Sequence, residues 1–226
     1  MTQMAHKIKI QEIGFITHNV LQIQTDRPSG YDFKPGQACD MSIDQPKWKD
    51  EKRPFTFTNL PEDGFLQFTI KVYPGHDGVT DQLQTLEQGD SLLISDSWGA
   101  ISYEGPGVFL AGGAGVTPFI SIIKDLAKKG NLKGNKMIFG NQRERDIILR
   151  SDFEEWLGKD FINILSEERS SKFTHGVIDK LYIKDQVADL DKKFYVCGPP
   201  PMMDTVYNAL LELDVPKKNI ITEDFD

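Results

Sequence analysis

The fold of this chain is decided by the stretch Val108-Phe109-Leu110-Ala111-Gly112-Gly113-Ala114-Gly115-Val116-Thr117-Pro118. Its apolar start is typical of a buried strand, its glycines of a tight turn, and its proline of the first turn of a helix. Such a junction brings free backbone N–H groups and the positive end of a helix together, where a pyrophosphate binds. Glycine turns also join strands to helices in parallel sheets that bind no ligand, so the stretch alone leaves both interpretations open.

The residues after Gly105-Pro106-Gly107 alternate short apolar runs with segments of helical periodicity. The runs that predict strands are 108–111, 137–139, 161–165 and 194–197. Strands that alternate with amphipathic helices are typical of a parallel sheet covered by helices. We therefore predict a Rossmann-like α/β domain at 105–226.

The residues before that point are typical of an antiparallel barrel. Leu66, Phe68, Ile70 and Val72 alternate strictly with less apolar residues, which predicts a strand with one buried face. Similar short runs, separated by turn residues, recur through 1–104. One short helix is predicted at 80–87, with Thr80 as its N-cap.

Composition excludes several classes of protein. The net charge of −8 makes nucleic acid an unfavourable partner, because phosphate repulsion is not compensated. The only two cysteines, Cys39 and Cys197, and the scattered histidines provide no metal or iron–sulfur ligand set. The start of the chain has no apolar signal region, and glycines and Pro118 interrupt its most apolar stretch. We expect a cytoplasmic protein with no membrane insertion.

Further motifs flank the glycine stretch. In chain order they are Arg53-Pro54-Phe55-Thr56, Ile70-Lys71-Val72 with Gly78-Val79-Thr80, Cys197-Gly198-Pro199-Pro200-Pro201-Met202, and Glu223-Asp224-Phe225. In Gly113-x-Gly115-x-x-Pro118, proline replaces the third glycine of the usual dinucleotide fingerprint. Over nearly the whole chain, the order and spacing of these motifs resemble the ferredoxin-NADP reductase superfamily. The resemblance implies an FAD-binding barrel at 1–104 and an NAD(P)-binding domain at 105–226.

On the flavin side, the resemblance implies that Arg53 clasps the flavin pyrophosphate, Phe55 covers part of the flavin, and the Thr56 hydroxyl reaches flavin N5. It places Pro54, Ile70, Lys71 and Val72 beside the cofactor, with phosphate donors at Gly78, Val79 and Thr80. Two simpler interpretations stay open. In the first, Arg53 is an edge-strand arginine that pairs with a carboxylate. In the second, Thr80 is only a helix cap.

On the nucleotide side, the resemblance implies that Gly112, Gly113, Ala114, Gly115, Val116, Thr117 and Pro118 hold the nicotinamide nucleotide. It places Cys197 near the reacting carbon, in a pocket lined by Gly198, Pro199 and Met202. It also implies that Glu223 relays a proton and that Phe225 shields the ring, with Thr56, Cys197 and Glu223 as the catalytic residues. The alternatives are that Cys197 is only a buried cysteine at the end of a strand, and that Glu223-Asp224-Phe225 is only a frayed terminus.

The choice between NADH and NADPH depends on charges that follow the second and third predicted strands of this domain. Arg143 offers a cation for the ribose phosphate of NADPH, whereas Glu167 repels that phosphate. Together the two residues favour NADH, although an Arg143 that binds the ribose phosphate would favour NADPH instead.

The leading hypothesis is an NAD(P)H-dependent flavoprotein reductase. Its FAD accepts a hydride and passes electrons to a separate protein such as ferredoxin, flavodoxin or an oxygenase component. Two other interpretations are a flavin-binding subunit that is active only within a larger complex, and a catalytically silent nucleotide-binding protein.

Overall fold

The computed structural model describes residues 6–99 and 101–222, which divide into two compact units. The first unit contains the described residues up to Ser102 and the helical segment 117–125. The second contains residues 103–116 and 126–222. The domain limits 1–104 and 105–226 stay a prediction, because segment 117–125 groups with the first unit although it follows that boundary in the sequence.

Antiparallel strands build the first unit. They are β1 (His6–Thr17), β2 (Val20–Asp26), β3 (Ala38–Ile43), β4 (Arg53–Thr56), β5 (Phe65–Lys71) and β6 (Ser91–Ile94). Their order in the sheet is β4-β3-β6-β1-β2-β5. An antiparallel bridge between Phe57 and Phe68 joins the chain just after β4 to β5, so the two edge strands meet and the sheet closes. The predicted antiparallel barrel is confirmed.

The barrel core is built by residues that alternate along the strands. In β5, Leu66, Phe68 and Ile70 are at most 2% exposed and lie in the core, as their spacing predicts. Cys39 of β3 is also in this core, where burial raises the pKa of its thiol. Cys39 is therefore a protonated core residue.

Helix α1 (Val79–Leu83) is shorter than the predicted helix and begins one residue earlier. Gly78 occupies the N-cap position, and no side chain caps the helix, so the prediction that Thr80 is the N-cap was wrong. The helix is positioned by Val79 and Leu83, which are buried in the barrel core. Core packing thus determines where this helix starts, rather than the capping preference of a threonine.

Helix α2 (Thr117–Lys128) is attached to the barrel through a polar stripe in its segment 117–125. The Ser121 hydroxyl accepts a hydrogen bond from the Gly36 N–H at 3.0 Å. One turn later, the Lys124 ammonium donates to the Thr58 carbonyl oxygen at 2.8 Å. Residues 117, 121 and 124 are spaced by four and three positions, so they lie on one face of the helix.

Parallel strands build the second unit. They are β7 (Gly107–Gly112), β8 (Lys136–Asn141), β9 (Phe161–Leu165), β10 (Thr174–His175), β11 (Lys193–Cys197) and β12 (Ile220–Thr222). Their order is β10-β9-β8-β7-β11-β12, and every described pair is parallel. The predicted parallel sheet is confirmed. Strands β10 and β12 were not predicted, because they are too short to show a periodic pattern.

The helices of this unit are α3 (Arg150–Leu157), α4 (Lys180–Gln186) and α5 (Pro200–Glu212). One face of the sheet forms a core with α5, in which Val108, Leu110 and Val196 meet Val206 and Leu210. Among residues 6–99 and 101–222, no helix combines the length and apolar character needed to cross a membrane.

Candidate nucleotide and flavin sites

The glycine stretch ends at the carboxyl edge of the parallel sheet. Strand β7 ends at Gly112 beside β11, which ends at Cys197, and Ala111 is the register partner of Cys197. Residues Gly113–Val116 form a 3-10 turn that runs into α2. Open α/β sheets bind their ligands at this edge. The structure therefore brings residues 112–116 and Cys197 together at the edge where a nucleotide is expected.

The glycines of this turn are required by packing. Gly113 has a φ of 51°, a left-handed conformation that favours glycine. A Cβ atom at Gly115 would overlap the carbonyl group of Cys197 and lie 2.5 Å from the Gly198 nitrogen. A Cβ atom at Gly112 would overlap the Met202 sulfur. The turn thus packs directly against the start of the Cys197-Gly198 motif.

The Cys197 motif leads from strand β11 into helix α5. Cys197 is 6% exposed at the end of the strand, whereas Pro199 is exposed and occupies the N-cap position of α5. Met202 is half-buried, and its sulfur lies close enough to Gly112 and to Gly198 to overlap a Cβ atom at either position. The structure thus gives Met202 a packing contact with the glycine turn. Whether Cys197, Gly198, Pro199 and Met202 contact a nucleotide stays a prediction.

Arg143 and Glu167 are brought together beyond the ends of β8 and β9. The Arg143 guanidinium donates from Nε and Nη2 to one Glu167 carboxylate oxygen, at 3.4 and 3.3 Å. Both side chains are about half exposed, so the pair contributes little to stability. The Glu167 carboxylate therefore offsets the positive charge of Arg143, the residue that was predicted as a possible ligand of the 2′-phosphate of NADPH.

Asn141, the last residue of β8, is a candidate that the sequence analysis missed. It is 7% exposed, and neither its amide nitrogen nor its amide oxygen has a hydrogen-bond partner among the described residues. Buried amide groups normally have such partners. The signal in the sequence was a polar residue two positions after the apolar run 137–139, at the carboxyl edge of the sheet.

The first flavin motif lies on β4, an edge strand of the sheet that bridges to β5 only after Thr56. The Arg53 side chain is 50% exposed, with its Nη2 3.5 Å from a Glu51 carboxylate oxygen. Pro54 is exposed, and Phe55 is half-buried against the barrel core. The carboxylate pairing that was considered as the alternative is present, but it is long and exposed, so it leaves the guanidinium able to bind a phosphate.

Thr56 ends this strand in a different environment. It is 7% exposed, and its hydroxyl oxygen lies 2.8 Å from the hydroxyl oxygen of Thr117, the first residue of α2. Both residues belong to the first unit. The structure therefore joins one residue of the flavin motif to the last-but-one residue of the glycine stretch, which the sequence analysis did not anticipate.

The second flavin segment is divided between the core and the surface. Ile70 and Val72 are 2% and 1% exposed, so their side chains are barrel core and only their backbone is available to a ligand. Lys71 is half-buried. The Asp81 carboxylate accepts hydrogen bonds from the N–H groups of Gly75 and Asp77, at 3.0 and 3.2 Å. Asp81 thereby holds the loop that leads to Gly78, Val79 and Thr80, a contact that the sequence did not reveal.

Two predicted residues, Glu223 and Phe225, lie outside the described residues. Within residues 6–99 and 101–222, no cluster of three or more histidine, cysteine, aspartate or glutamate side chains is placed to hold a metal ion.

Comparison with known proteins assigns both halves of the chain. Residues 4–106 match the model of an FAD-binding domain, and residues 109–208 match the model of an oxidoreductase NAD-binding domain. The fold is similar to that of the FAD/NAD-binding domain of nitric oxide dioxygenase from Vibrio cholerae O1 biovar El Tor. That likeness has a TM-score of 0.86 at 19% identity and covers 99% of each chain.

Curated relatives include the reductase component of propane 2-monooxygenase from Mycolicibacterium goodii, which is 27% identical over 91% of this chain and 62% of its own length. A component of the Na(+)-translocating NADH-quinone reductase of a Marinomonas species is 30% identical over 76% of this chain and 48% of its own length. The chain thus spans about half to three fifths of these relatives. With its FAD-binding and NAD-binding domains in that order, the chain belongs to the ferredoxin-NADP reductase superfamily.

Proposed function

We propose that the protein is an NADH-dependent flavin reductase that uses FAD. The observation that carries this proposal is the glycine turn packed against Cys197-Gly198 at the carboxyl edge of the parallel sheet, in a chain whose other half matches an FAD-binding domain. When bound, the flavin takes a hydride from the nicotinamide and releases its electrons to another acceptor. The residues of this chain bind and orient the two cofactors.

In this proposal the flavin is held by the barrel. Arg53 binds the pyrophosphate with its exposed guanidinium, and Phe55 covers part of the ring system. The Thr56 hydroxyl approaches flavin N5. Lys71 and the backbone of Ile70 and Val72 flank the cofactor, with phosphate donors at the short helix that starts at Val79.

The nicotinamide nucleotide is held by the second unit. The turn that starts at Gly113 presents backbone N–H groups to the pyrophosphate. Cys197 lies at the strand end nearest this turn and shapes the nicotinamide pocket together with Gly198 and Pro199. Asn141 supplies an unpaired amide group at the same edge of the sheet. Glu223 and Phe225 complete the proposed site as the proton relay and the ring shield.

We propose NADH as the preferred donor. Arg143, the cation considered for the 2′-phosphate of NADPH, already donates two hydrogen bonds to Glu167. A 2′-phosphate would have to displace a carboxylate and then lie beside it, and like charges at this distance repel each other. The 2′-hydroxyl of NADH carries no such charge.

The electron acceptor in this proposal is a separate protein, such as an oxygenase component, a ferredoxin or a flavodoxin. Support comes from the relative that is named the reductase component of a monooxygenase. A second candidate is a flavin-binding subunit that turns over only within a larger assembly, which the similarity to one component of a quinone reductase favours. Turnover of the isolated chain with an artificial acceptor discriminates between the two.

The proposed function is tested by rapid anaerobic mixing of the purified, FAD-reconstituted protein with NADH and, separately, with NADPH at the same concentrations. We expect NADH to bleach the flavin absorbance rapidly and NADPH to do so much more slowly. A flavin that is bleached by neither nucleotide but is reduced by dithionite contradicts the proposal. Equal rates of bleaching by both nucleotides contradict the assignment of Glu167.

A further inference from the structure

The Thr56–Thr117 hydroxyl pair is held in place by the attachment of α2 to the barrel. The two oxygens lie 2.8 Å apart, with Thr56 buried and Thr117 half-buried. Ser121 and Lys124, on the same face of the helix as Thr117, bind Gly36 and Thr58 of the barrel. These contacts fix where the Thr117 hydroxyl stands relative to Thr56.

A pair of hydroxyl groups can reverse its hydrogen bond without moving its oxygen atoms. Each hydroxyl has one proton to donate and two lone pairs to accept, and here either oxygen can be the donor. When Thr117 donates, the Thr56 proton is free to bind an acceptor. When Thr56 donates, a Thr56 lone pair is free to bind a donor. The pair can therefore serve a third group that changes from acceptor to donor.

We infer that Thr117 is a positioning residue that reverses its hydrogen bond with Thr56 as the bound flavin changes its redox state. This inference rests on the proposed function, which places Thr56 at flavin N5. N5 is an acceptor in oxidised flavin and carries a hydrogen, and so is a donor, after it has gained a hydride. The hydride supplies that hydrogen and both electrons, and the two threonines only reorient their hydroxyl groups.

The two redox states depend unequally on Thr117. Without the Thr117 hydroxyl, Thr56 still donates to oxidised N5 and leaves only a lone pair unused. In the reduced state Thr56 accepts from N5–H, and its own proton then lacks an acceptor in a buried site. A buried donor without a partner is the more costly of these two conditions. Loss of the Thr117 hydroxyl therefore destabilises the reduced flavin.

The test is the midpoint potential of the flavin bound to Thr117→Val, measured with a chemical reductant and an indicator dye in the absence of nucleotide. We expect the oxidised form to be favoured by about tenfold, which lowers a two-electron potential by roughly 30 mV. Thr117→Ser keeps the hydroxyl and should restore the wild-type potential. Thr117→Ala provides a second hydroxyl-free variant if valine destabilises the helix start.

A matched control exists in the same barrel. The buried hydroxyls of Thr58 and Thr69 form a similar pair with 3.1 Å between their oxygens. Thr69→Val removes that pair without touching the Thr56–Thr117 contact and should leave the potential unchanged. In the Thr56→Val background, Thr117→Val should cause no further shift, because the hydroxyl through which it acts is already absent.

A wild-type potential in both Thr117→Val and Thr117→Ala overturns the inference, and so does a shift that persists in the Thr56→Val background. These results leave the proposed function intact. Flavin that is reduced chemically but not by NADH or NADPH contradicts the proposed function alone, since the potential is measured without nucleotide. A folded protein that binds no flavin contradicts both.

Discussion

The glycine turn of the second unit and the flavin motif of the first unit are built in opposite ways. The turn has no charged side chain, and its shape comes from backbone packing, with Gly115 against the Cys197-Gly198 peptide. The flavin motif has an exposed arginine at one end and a buried threonine at the other. The first region is therefore defined by the side chains that it lacks, and the second by the side chains that it presents.

This difference predicts how each region responds to mutation. Substitution of a glycine that is needed because it has no side chain should impair both folding and binding. An exposed charged residue should affect binding alone, because its removal costs the fold little. The two regions can therefore be distinguished by measuring stability and affinity on the same variants.

The largest effect is expected for Gly115→Ala. The new methyl group would overlap the Cys197 carbonyl, which is backbone and cannot rotate away. We expect the second unit to lose about 3 kcal/mol of its free energy of unfolding and the protein to lose nucleotide binding, with FAD binding preserved. Urea unfolding and calorimetric titration with NADH provide the measurements.

Gly140→Ala is the control in the same sheet, because a Cβ at Gly140 would make ordinary contacts, the nearest at 3.4 Å to an Ile178 methyl group. It should cost much less stability than Gly115→Ala. Equal effects of the two substitutions would mean that the glycine turn is not fixed by its packing against Cys197.

Arg53→Ala should weaken FAD binding without destabilising the barrel. Loss of a charge-assisted hydrogen bond corresponds to about a tenfold to hundredfold loss of affinity. Lys49→Ala removes the same charge from an exposed position of the same unit and should leave the affinity nearly unchanged. Fluorescence titration of the apoprotein with FAD measures both variants. Similar losses of affinity in the two variants would mean that Arg53 contributes only general electrostatic attraction and no specific contact with the pyrophosphate.

A smaller effect is expected for Glu167→Gln, which frees Arg143 and removes a repulsive charge. The value of kcat/KM for NADPH should rise by about tenfold, and the value for NADH should change little. Steady-state kinetics with an artificial acceptor measures both values. Glu155→Gln, at an exposed position of α3, is the charge-matched control. An unchanged NADPH value would exclude Glu167 as a determinant of donor preference.

The last effect is absent at neutral pH, appears only at alkaline pH, and again separates the two units. Burial raises the pKa of the Cys39 thiol in the barrel, and burial raises the pKa of Tyr195 in the second unit from 10.0 to about 12. Groups with a raised pKa keep their protons in the folded state and lose them first in the unfolded state, so stability falls as the pH rises. The loss should begin near pH 9 for Cys39, whose ordinary pKa is 9.0, and near pH 10 for Tyr195.

Urea unfolding between pH 7 and pH 11 measures these slopes, which reach at most about 1.4 kcal/mol per pH unit for one group. Cys39→Ala should remove the part that begins near pH 9, and Tyr195→Phe should reduce the part that begins near pH 10. A slope that neither substitution changes would assign the alkaline loss to other groups, such as Tyr31, whose pKa is also raised by burial.

The sequence predicted those features that depend on local patterns. Alternation at Leu66, Phe68 and Ile70 gave the barrel strand, and the apolar runs gave four strands of the parallel sheet. Helix α4 was missed, because Leu181 is 75% exposed and breaks its apolar stripe. Thr80 was misjudged as a cap, since the start of α1 is determined by the buried Val79.

The sequence could not predict contacts between distant residues. The overlap that a side chain at Gly115 would make with Cys197 and the hydrogen bond of Thr56 to Thr117 both join residues that only the fold brings together. Asn141 was missed for a related reason, because an asparagine at a strand end is normally a turn residue and only its burial without a partner makes it a candidate. The motif positions were therefore predictable, but the contacts between them were not.

The central proposal is that NADH reduces the FAD bound by this chain through direct hydride transfer. The most direct measurement is the anaerobic rate of flavin bleaching after rapid mixing with NADH that carries deuterium on the transferred position of nicotinamide C4. We expect bleaching that is slower than with ordinary NADH, because the bond to the transferred hydrogen breaks in that step. Flavin that dithionite reduces but NADH does not bleach would contradict the claim.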